Sequence, residues 1–168
     1  MSALNEIFGY LVQTFLSLFL ITMLLRFILQ LVKADFYNPI CQFLVKVTNP
    51  LVIPARRVIP GFGGIDLASL LLALVLQLLG IIALLLINGL GIPNIGLLLL
   101  WSVIGIAGLV VNIYFFALLA MIILSWVAAG SRHPAISLLN QITEPAMAPF
   151  RKLLPAMGGI DFSPILVF

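Results

Sequence analysis

The sequence predicts an all-α membrane protein made of two parallel repeats, and three observations carry that prediction. Of its 168 residues, 64% are hydrophobic and 8% are charged, whereas a soluble domain carries roughly 25% charged residues. Three apolar stretches are long enough for a bilayer, which takes about 20 residues to cross. One basic, proline-rich motif occurs twice, each time after an apolar stretch, and such a repeat indicates duplicated architecture.

The first repeat is predicted over residues 1–88. Its spans run over residues 7–32 and 67–87, and an interfacial module over residues 39–66 joins them. After a proline, the module places apolar residues at i, i+3, i+4 and i+7, which is typical of an amphipathic helix lying at the membrane surface. These residues are Ile40, Phe43, Leu44 and Val47.

The rest of this module holds residues with expected structural roles. Thr48 is predicted to cap a second short helix, which Pro54 would limit or kink. Gly63 and Gly64 supply a turn, and Asp66 is predicted to cap the next span by accepting amide hydrogen bonds at the positive end of the helix.

The second repeat is predicted over residues 97–168, after a loop over residues 89–96. The two motif copies align without a gap, since 143 − 48 = 95 and 161 − 66 = 95. We therefore expect a span over 97–127, a module over 134–161 and the start of a fourth span over 162–168. Residues with matched structural roles are Thr143, Gly158, Gly159 and Asp161. Seven residues cannot cross a bilayer, so we expect a truncated span, with a short re-entrant end as the alternative.

The cations predict the orientation. All eight Lys and Arg residues lie at or near the two modules, whereas the loop over residues 89–96 has none. The positive-inside rule puts both modules in the cytoplasm and the N-terminus outside.

Two matched cationic pairs are the candidate binding residues: Arg56, Arg57, Arg151 and Lys152. Either they bind anionic lipid or an acidic membrane-protein partner, or they act only as positive-inside determinants. The first module is the candidate for tighter anion binding, because an Arg fork grips phosphate and Lys does not. The second also carries Glu144 where the first has Asn49. Four cations without an aromatic platform argue against nucleic acid.

Isolated polar residues have simpler interpretations than catalysis. Arg26, inside the first span, is expected to snorkel or to pair with Asp35 or Asp66. His133 is a weak metal candidate, and Cys41 is expected to be buried. The sequence assembles no nucleophile with a base, no metal-ligand set and no nucleotide motif, so we expect no catalytic site, cofactor or metal.

Gln77 and Asn112 are polar residues near the middle of the second and third spans. Each lies in a row of small or polar residues that permits close helix approach in lipid. We expect the two side chains to meet at the helix interface, or each to bond its own helix backbone.

The duplicated T-x-P-x3-P-x-[RK]-[RK]-x2-P-x2-G-G-I-D pattern resembles the YggT family, also called YlmG. The resemblance implies a multi-pass protein of the bacterial inner membrane without established catalytic activity. Family members have been linked to osmotic stress tolerance, to division and nucleoid or septum organisation, and to cofactor attachment during cytochrome b6f assembly in chloroplasts.

Two functions are therefore expected. The first is a non-enzymatic assembly or organising factor whose basic modules hold anionic lipid or membrane-protein clients. Its expected protein partner is another membrane protein or further copies of the same chain in a homo-oligomer. The alternative is a channel or transporter subunit for osmotic or ion homeostasis. Because transport usually places ionisable groups at the bilayer midplane, where this chain offers only neutral Gln77 and Asn112, the first is favoured.

Overall fold

The computed structural model describes residues 3–127 and 133–153, which form five helices. They are α1 (Ala3–Leu31), α2 (Pro39–Val58), α3 (Leu67–Ile87), α4 (Ile95–Val127) and α5 (Pro134–Leu153). Of these, α1, α3 and α4 are long and apolar enough to cross a membrane. The prediction of an all-helical, multi-pass membrane protein is confirmed. The predicted fourth span and Asp161, Gly158 and Gly159 lie outside the described residues.

The helices α2 and α5 are continuous, which corrects the prediction that Thr48 and Thr143 cap separate short helices. Each helix has 20 residues and contains two interior prolines. The Thr48 hydroxyl donates to the Leu44 carbonyl at 2.6 Å, and the Thr143 hydroxyl donates to the Leu139 carbonyl at 2.8 Å. Since an interior proline costs about 3 kcal/mol, packing against neighbouring helices must offset the lost backbone bonds.

Two side chains at matched positions open α2 and α5. The Asn38 side chain accepts a hydrogen bond from the Ile40 amide at 2.9 Å, and His133 Nδ1 accepts one from the Ala135 amide at 3.2 Å. The Asn38 amide also donates to the Pro134 carbonyl at 2.8 Å, so it ties the two helix starts together. His133 is thus a residue of a helix start.

The interior formed by the described residues contains two apolar clusters. One joins α1, α2, α3 and α4 through Leu20, Met23, Leu24, Val52, Ala73 and Ile106. The other joins α1, α2, α4 and α5 and contains buried Cys41, as expected from the amphipathic pattern. Burial raises the pKa of this thiol, with a smaller contribution from the charge of Asp35. Buried apolar residues of each module helix therefore pack against the spans, whereas Phe43 of the predicted apolar stripe is 62% exposed.

A glycine turn leads from α2 into α3. Gly63 and Gly64 have φ values of 60° and 84°, a region that residues with a side chain rarely adopt. Around them, the amide and carbonyl groups of Phe62 and Ile65 bond each other in both directions, at 3.3 and 3.0 Å. The turn returns the chain so that the next residue, Asp66, begins α3.

Candidate functional site

Asp66 lies at the centre of a polar junction between α1, α2 and α3. It is the N-cap residue of α3, at the position where the sequence predicts a cap, and it accepts hydrogen bonds from the Ser69 amide and hydroxyl. The Arg56 guanidinium donates to the same carboxylate, Nε to Oδ1 at 3.2 Å and Nη2 to Oδ2 at 2.6 Å. This bidentate geometry is the strong form of an arginine–carboxylate pair.

The environment of Asp66 favours its ionised form. Burial by itself would raise the pKa of this carboxyl, but hydrogen bonds from Arg56 and Ser69 outweigh burial and leave the pKa below its ordinary value. The carboxylate also stands at the positive end of a helix, which favours an anion. Asp66 is thus negatively charged at neutral pH and holds Arg56 in place.

Arg56 is hydrogen-bonded to neighbouring helices although its side chain is 41% exposed, so it is not half of a free cationic pair. Besides Asp66, it donates from Nη2 to Gln30 Oε1 at 2.8 Å. It therefore fastens the last turn of α2 to the end of α1 and the start of α3. This internal role separates Arg56 from its neighbour Arg57, with which the sequence groups it.

Arg26 bonds to α2, which corrects the expectation that it pairs with Asp35 or Asp66. Arg26 lies within α1 and is buried, with 4% of its surface exposed. Nη1 donates to Thr48 Oγ1 at 2.6 Å, to Asn49 Oδ1 at 2.9 Å and to the Val45 carbonyl at 3.4 Å. Arg56 binds the carboxylate of Asp66. The acceptors of Arg26 are instead uncharged oxygens of α2.

Arg57 belongs to an exposed outer face of α2. Lys46 is exposed as well, and the two lie 57 − 46 = 11 residues apart, about three helical turns, so they share a side of the helix. Phe43 and Ile53 are exposed on the same side, at 62% and 49%. We name Phe43, Lys46, Ile53 and Arg57 the outer face of α2; it combines two cations with two apolar side chains.

The second module can be compared only in part. The side chains of Arg151 and Lys152 lie outside the described part of the structure. Thr143 is buried, and Glu144 occupies the position matched to Asn49. The residue matched to Arg26 is Met121, since 26 + 95 = 121. The buried arginine of α1 that bonds the first module therefore has no counterpart in the sequence of the second repeat.

Gln77 and Asn112 are not brought together as a hydrogen-bonded pair in the described residues. A Cβ added to Gly105 of α4 would lie 2.5 Å from Gln77 Nε2, so Gln77 occupies the space left by that glycine. Asn112 is exposed and lies seven residues further along α4, a rise of about 10 Å. Gln77 therefore contacts α4 at the depth of Gly105 and not at the depth of Asn112.

The sequence identified the charged residues but did not show which of them bond to neighbouring helices and which lie on the outer face of α2. No pattern assigns Arg26 to Thr48, or separates Arg56 from Arg57, because both distinctions depend on how α2 rotates against α1 and α3. Among the described residues, no group of three or more His, Cys, Asp or Glu side chains could hold a metal ion. Through Arg26, Arg56 and Asp66, the junction fixes α2 against α1 and α3.

Comparisons with known proteins identify the same family that the repeated motif resembles. The CCB3/YggT family model matches residues 5–87 and 100–168. The uncharacterized protein PA0392 of Pseudomonas aeruginosa is 55% identical, across 100% of this chain and 86% of its own length. The uncharacterized protein YggT of Escherichia coli K12 is 46% identical, across 94% of this chain and 81% of its own length. No solved structure matches the chain significantly.

Proposed function

The chain belongs to the CCB3/YggT family, and from that premise we propose that it is a non-enzymatic membrane assembly or organising factor. Its basic modules hold anionic lipid headgroups or membrane-protein clients at the cytoplasmic surface. The observation that carries this proposal is the outer face of α2, where Lys46 and Arg57 are exposed beside Phe43 and Ile53.

The composition of this face suits the boundary between headgroups and acyl chains. Exposed apolar side chains gain by entering the acyl region, while Lys and Arg remain with the anionic headgroups. Each cation near an anionic surface contributes about 1 kcal/mol. Arg56 and Arg26 fix α2 to the spans through hydrogen bonds, so the face is held in position before a ligand arrives.

The orientation follows from the distribution of cations. We place both modules in the cytoplasm and the N-terminus outside, in a bacterial inner membrane, with two parallel repeats. In a background that replaces Cys41 by Ser, Asn94→Cys should react with an impermeant maleimide added outside. Gly61→Cys should react only after the membrane is opened; the reverse pattern would overturn the orientation.

Lipid retention in native mass spectrometry tests the proposal. The protein is taken from nanodiscs that contain phosphatidylglycerol or phosphatidylcholine only. Lys46→Gln/Arg57→Gln should reduce the phosphatidylglycerol retained and leave phosphatidylcholine unchanged. Arg57→Gln alone has a matched control in Lys33→Gln, which removes one exposed cation after the end of α1. If Arg57→Gln and Lys33→Gln reduced the retained phosphatidylglycerol equally, the outer face of α2 would not be a specific lipid site. The cations would then act only as topological signals, and the proposal would be refuted.

A second candidate, a channel or transporter subunit, is favoured by one feature. A cavity of about 90 Å³ lies between α1 and α3, and Gln13, Ser17 and Gln77 are among its lining residues. Polar groups inside a membrane often mark a pathway. Ion flux in liposomes that Gln77→Leu abolishes would support transport, whereas the absence of flux with lipid retention intact would favour the organising role.

A further inference from the structure

The cavity between α1 and α3 is polar although both helices are apolar enough to cross a membrane. Its volume is about 90 Å³, whereas a site for one water molecule needs roughly 15 Å³. Gln13 and Ser17 of α1 and Gln77 of α3 are among its lining residues. We name this cavity the polar pocket, and we define it by these three side chains.

The side chains of the polar pocket have hydrogen-bonding groups that the protein does not use. Elsewhere in the spans, the hydroxyls of Thr14 and Ser102 donate to carbonyl oxygens four residues earlier, at 2.8 and 2.7 Å. Between residues that the structure describes, the side chains of Gln13, Ser17 and Gln77 make no hydrogen bond. Because polar groups without partners are unfavourable inside a membrane, the pocket suits an occupant that both donates and accepts hydrogen bonds.

The polar pocket reaches from one end of α3 towards the middle of the bilayer. Ser17 follows Gln13 by one helical turn, and Gln77 lies ten residues from Ile87, the last residue of α3. Ten residues rise about 15 Å, which is half of the hydrocarbon thickness of about 30 Å. One turn beyond Gln77, Ala73 is fully buried in an apolar cluster, so the pocket is closed towards the modules.

We propose that the polar pocket holds water, which enters from the side of the α3–α4 connection and stops at Gln77. Water both donates and accepts, so it satisfies two amides and a hydroxyl at once, whereas an acyl chain would leave them unpaired. Such a blind pocket admits water to the middle of the bilayer but does not cross it. It is separate from the outer face of α2, so its hydration does not depend on lipid binding there.

Thiol modification in membranes tests the proposal, with Cys41→Ser as background. The probe is methyl methanethiosulfonate, a small reagent that reacts with the thiolate, and a thiolate forms in water rather than in an apolar environment. Ser17→Cys should therefore react. Leu18→Cys is the lipid-facing control, because Leu18 is the next residue and is 59% exposed. Ala73→Cys marks the closed end of the pocket.

Ser102→Cys is the matched control for replacing a serine. Ser102 is fully buried and bonds its own helix. It lies three residues before Gly105, the contact of Gln77 on α4, so both serines lie within about one helical turn of the level of Gln77. All rates are measured well below the unfolding temperature of each variant, so that unfolding cannot account for a fast reaction.

The expected result is a rate for Ser17→Cys at least roughly tenfold above those of the three controls. Adding Gln77→Leu should slow this reaction about fivefold, because an apolar side chain then borders the water. Equal rates for Ser17→Cys and Ser102→Cys would show a dry pocket and overturn the proposal. A disulfide between two copies of Ser17→Cys would overturn it as well, since a second chain would then face the pocket. Fast reaction of Ala73→Cys would contradict the blind end.

Discussion

The two module helices share a motif, but the α1 residues that hold the first have different counterparts in α4. In the first, α2 is fastened to α1 by Arg26 and by the contact of Arg56 with Gln30, and to α3 by the pairing of Arg56 with Asp66. In the second, Met121 and Ser125 stand where the first repeat has Arg26 and Gln30. The residues that fasten the first module to α1 are therefore not repeated in the sequence of the second, whereas the motif itself is.

Removing the central carboxylate should have the largest effect on this difference. Asp66→Ala takes away the cap of α3 and the acceptor of Arg56, so we expect a loss of about 3 kcal/mol in the free energy of unfolding. The matched change Asp161→Ala should cost less, because the second repeat has the shorter Ser125 where the first has Gln30, the second acceptor of Arg56. Reversible unfolding in mixed micelles measures both. Equal losses would mean that the two modules are held alike.

Replacing the buried arginine of α1 by its counterpart in α4 should have the next largest effect on the free energy of unfolding. Arg26→Met installs the residue that the second repeat carries and leaves the Asn49 side chain without its donor, at a cost of about 1–2 kcal/mol. A double-mutant cycle with Asn49→Ala isolates the coupling. Additive losses would show that the bond between Arg26 and Asn49 contributes nothing to stability.

Acidification should weaken the first module by a smaller amount. The pKa of Asp66 is lower in the folded protein than its ordinary value, which is about 3.9, so the unfolded state binds more protons between the two values. The stabilisation is complete above pH ~4 and is lost as the pH falls through the folded pKa. Asp66→Asn, which keeps a capping oxygen, should flatten the unfolding profile in this window; an unchanged slope would assign the acid sensitivity to other groups.

The smallest expected difference concerns lipid. Arg57→Gln should weaken phosphatidylglycerol retention about fivefold, the equivalent of about 1 kcal/mol, and Lys152→Gln should weaken it less because Lys lacks the guanidinium fork. Titration of lipid into each purified variant gives both affinities. A larger effect of Lys152→Gln would reverse the proposed order of the two modules.

The sequence determined the fold class and the positions of its parts. Long apolar runs can satisfy their backbone polar groups in lipid only as helices, so the spans were predictable from composition alone. The cap at Asp66 and the glycine turn before it were predictable as well, because both depend on local backbone requirements. The prediction that Thr48 and Thr143 cap separate helices was wrong, because packing stabilises one continuous helix in each module despite two interior prolines.

Only the tertiary structure decided the partners of the charged and polar side chains. Arg56 and Arg57 are adjacent in sequence and both are exposed, yet only Arg56 donates to Asp66 and Gln30, while Arg57 lies on the outer face of α2, because neighbouring residues on a helix point about 100° apart. Gln77 packs on Gly105 rather than meeting Asn112, since the depth of contact depends on how α3 and α4 pack. Such pairings arise from the relative rotation and displacement of helices, which no local pattern of residues specifies.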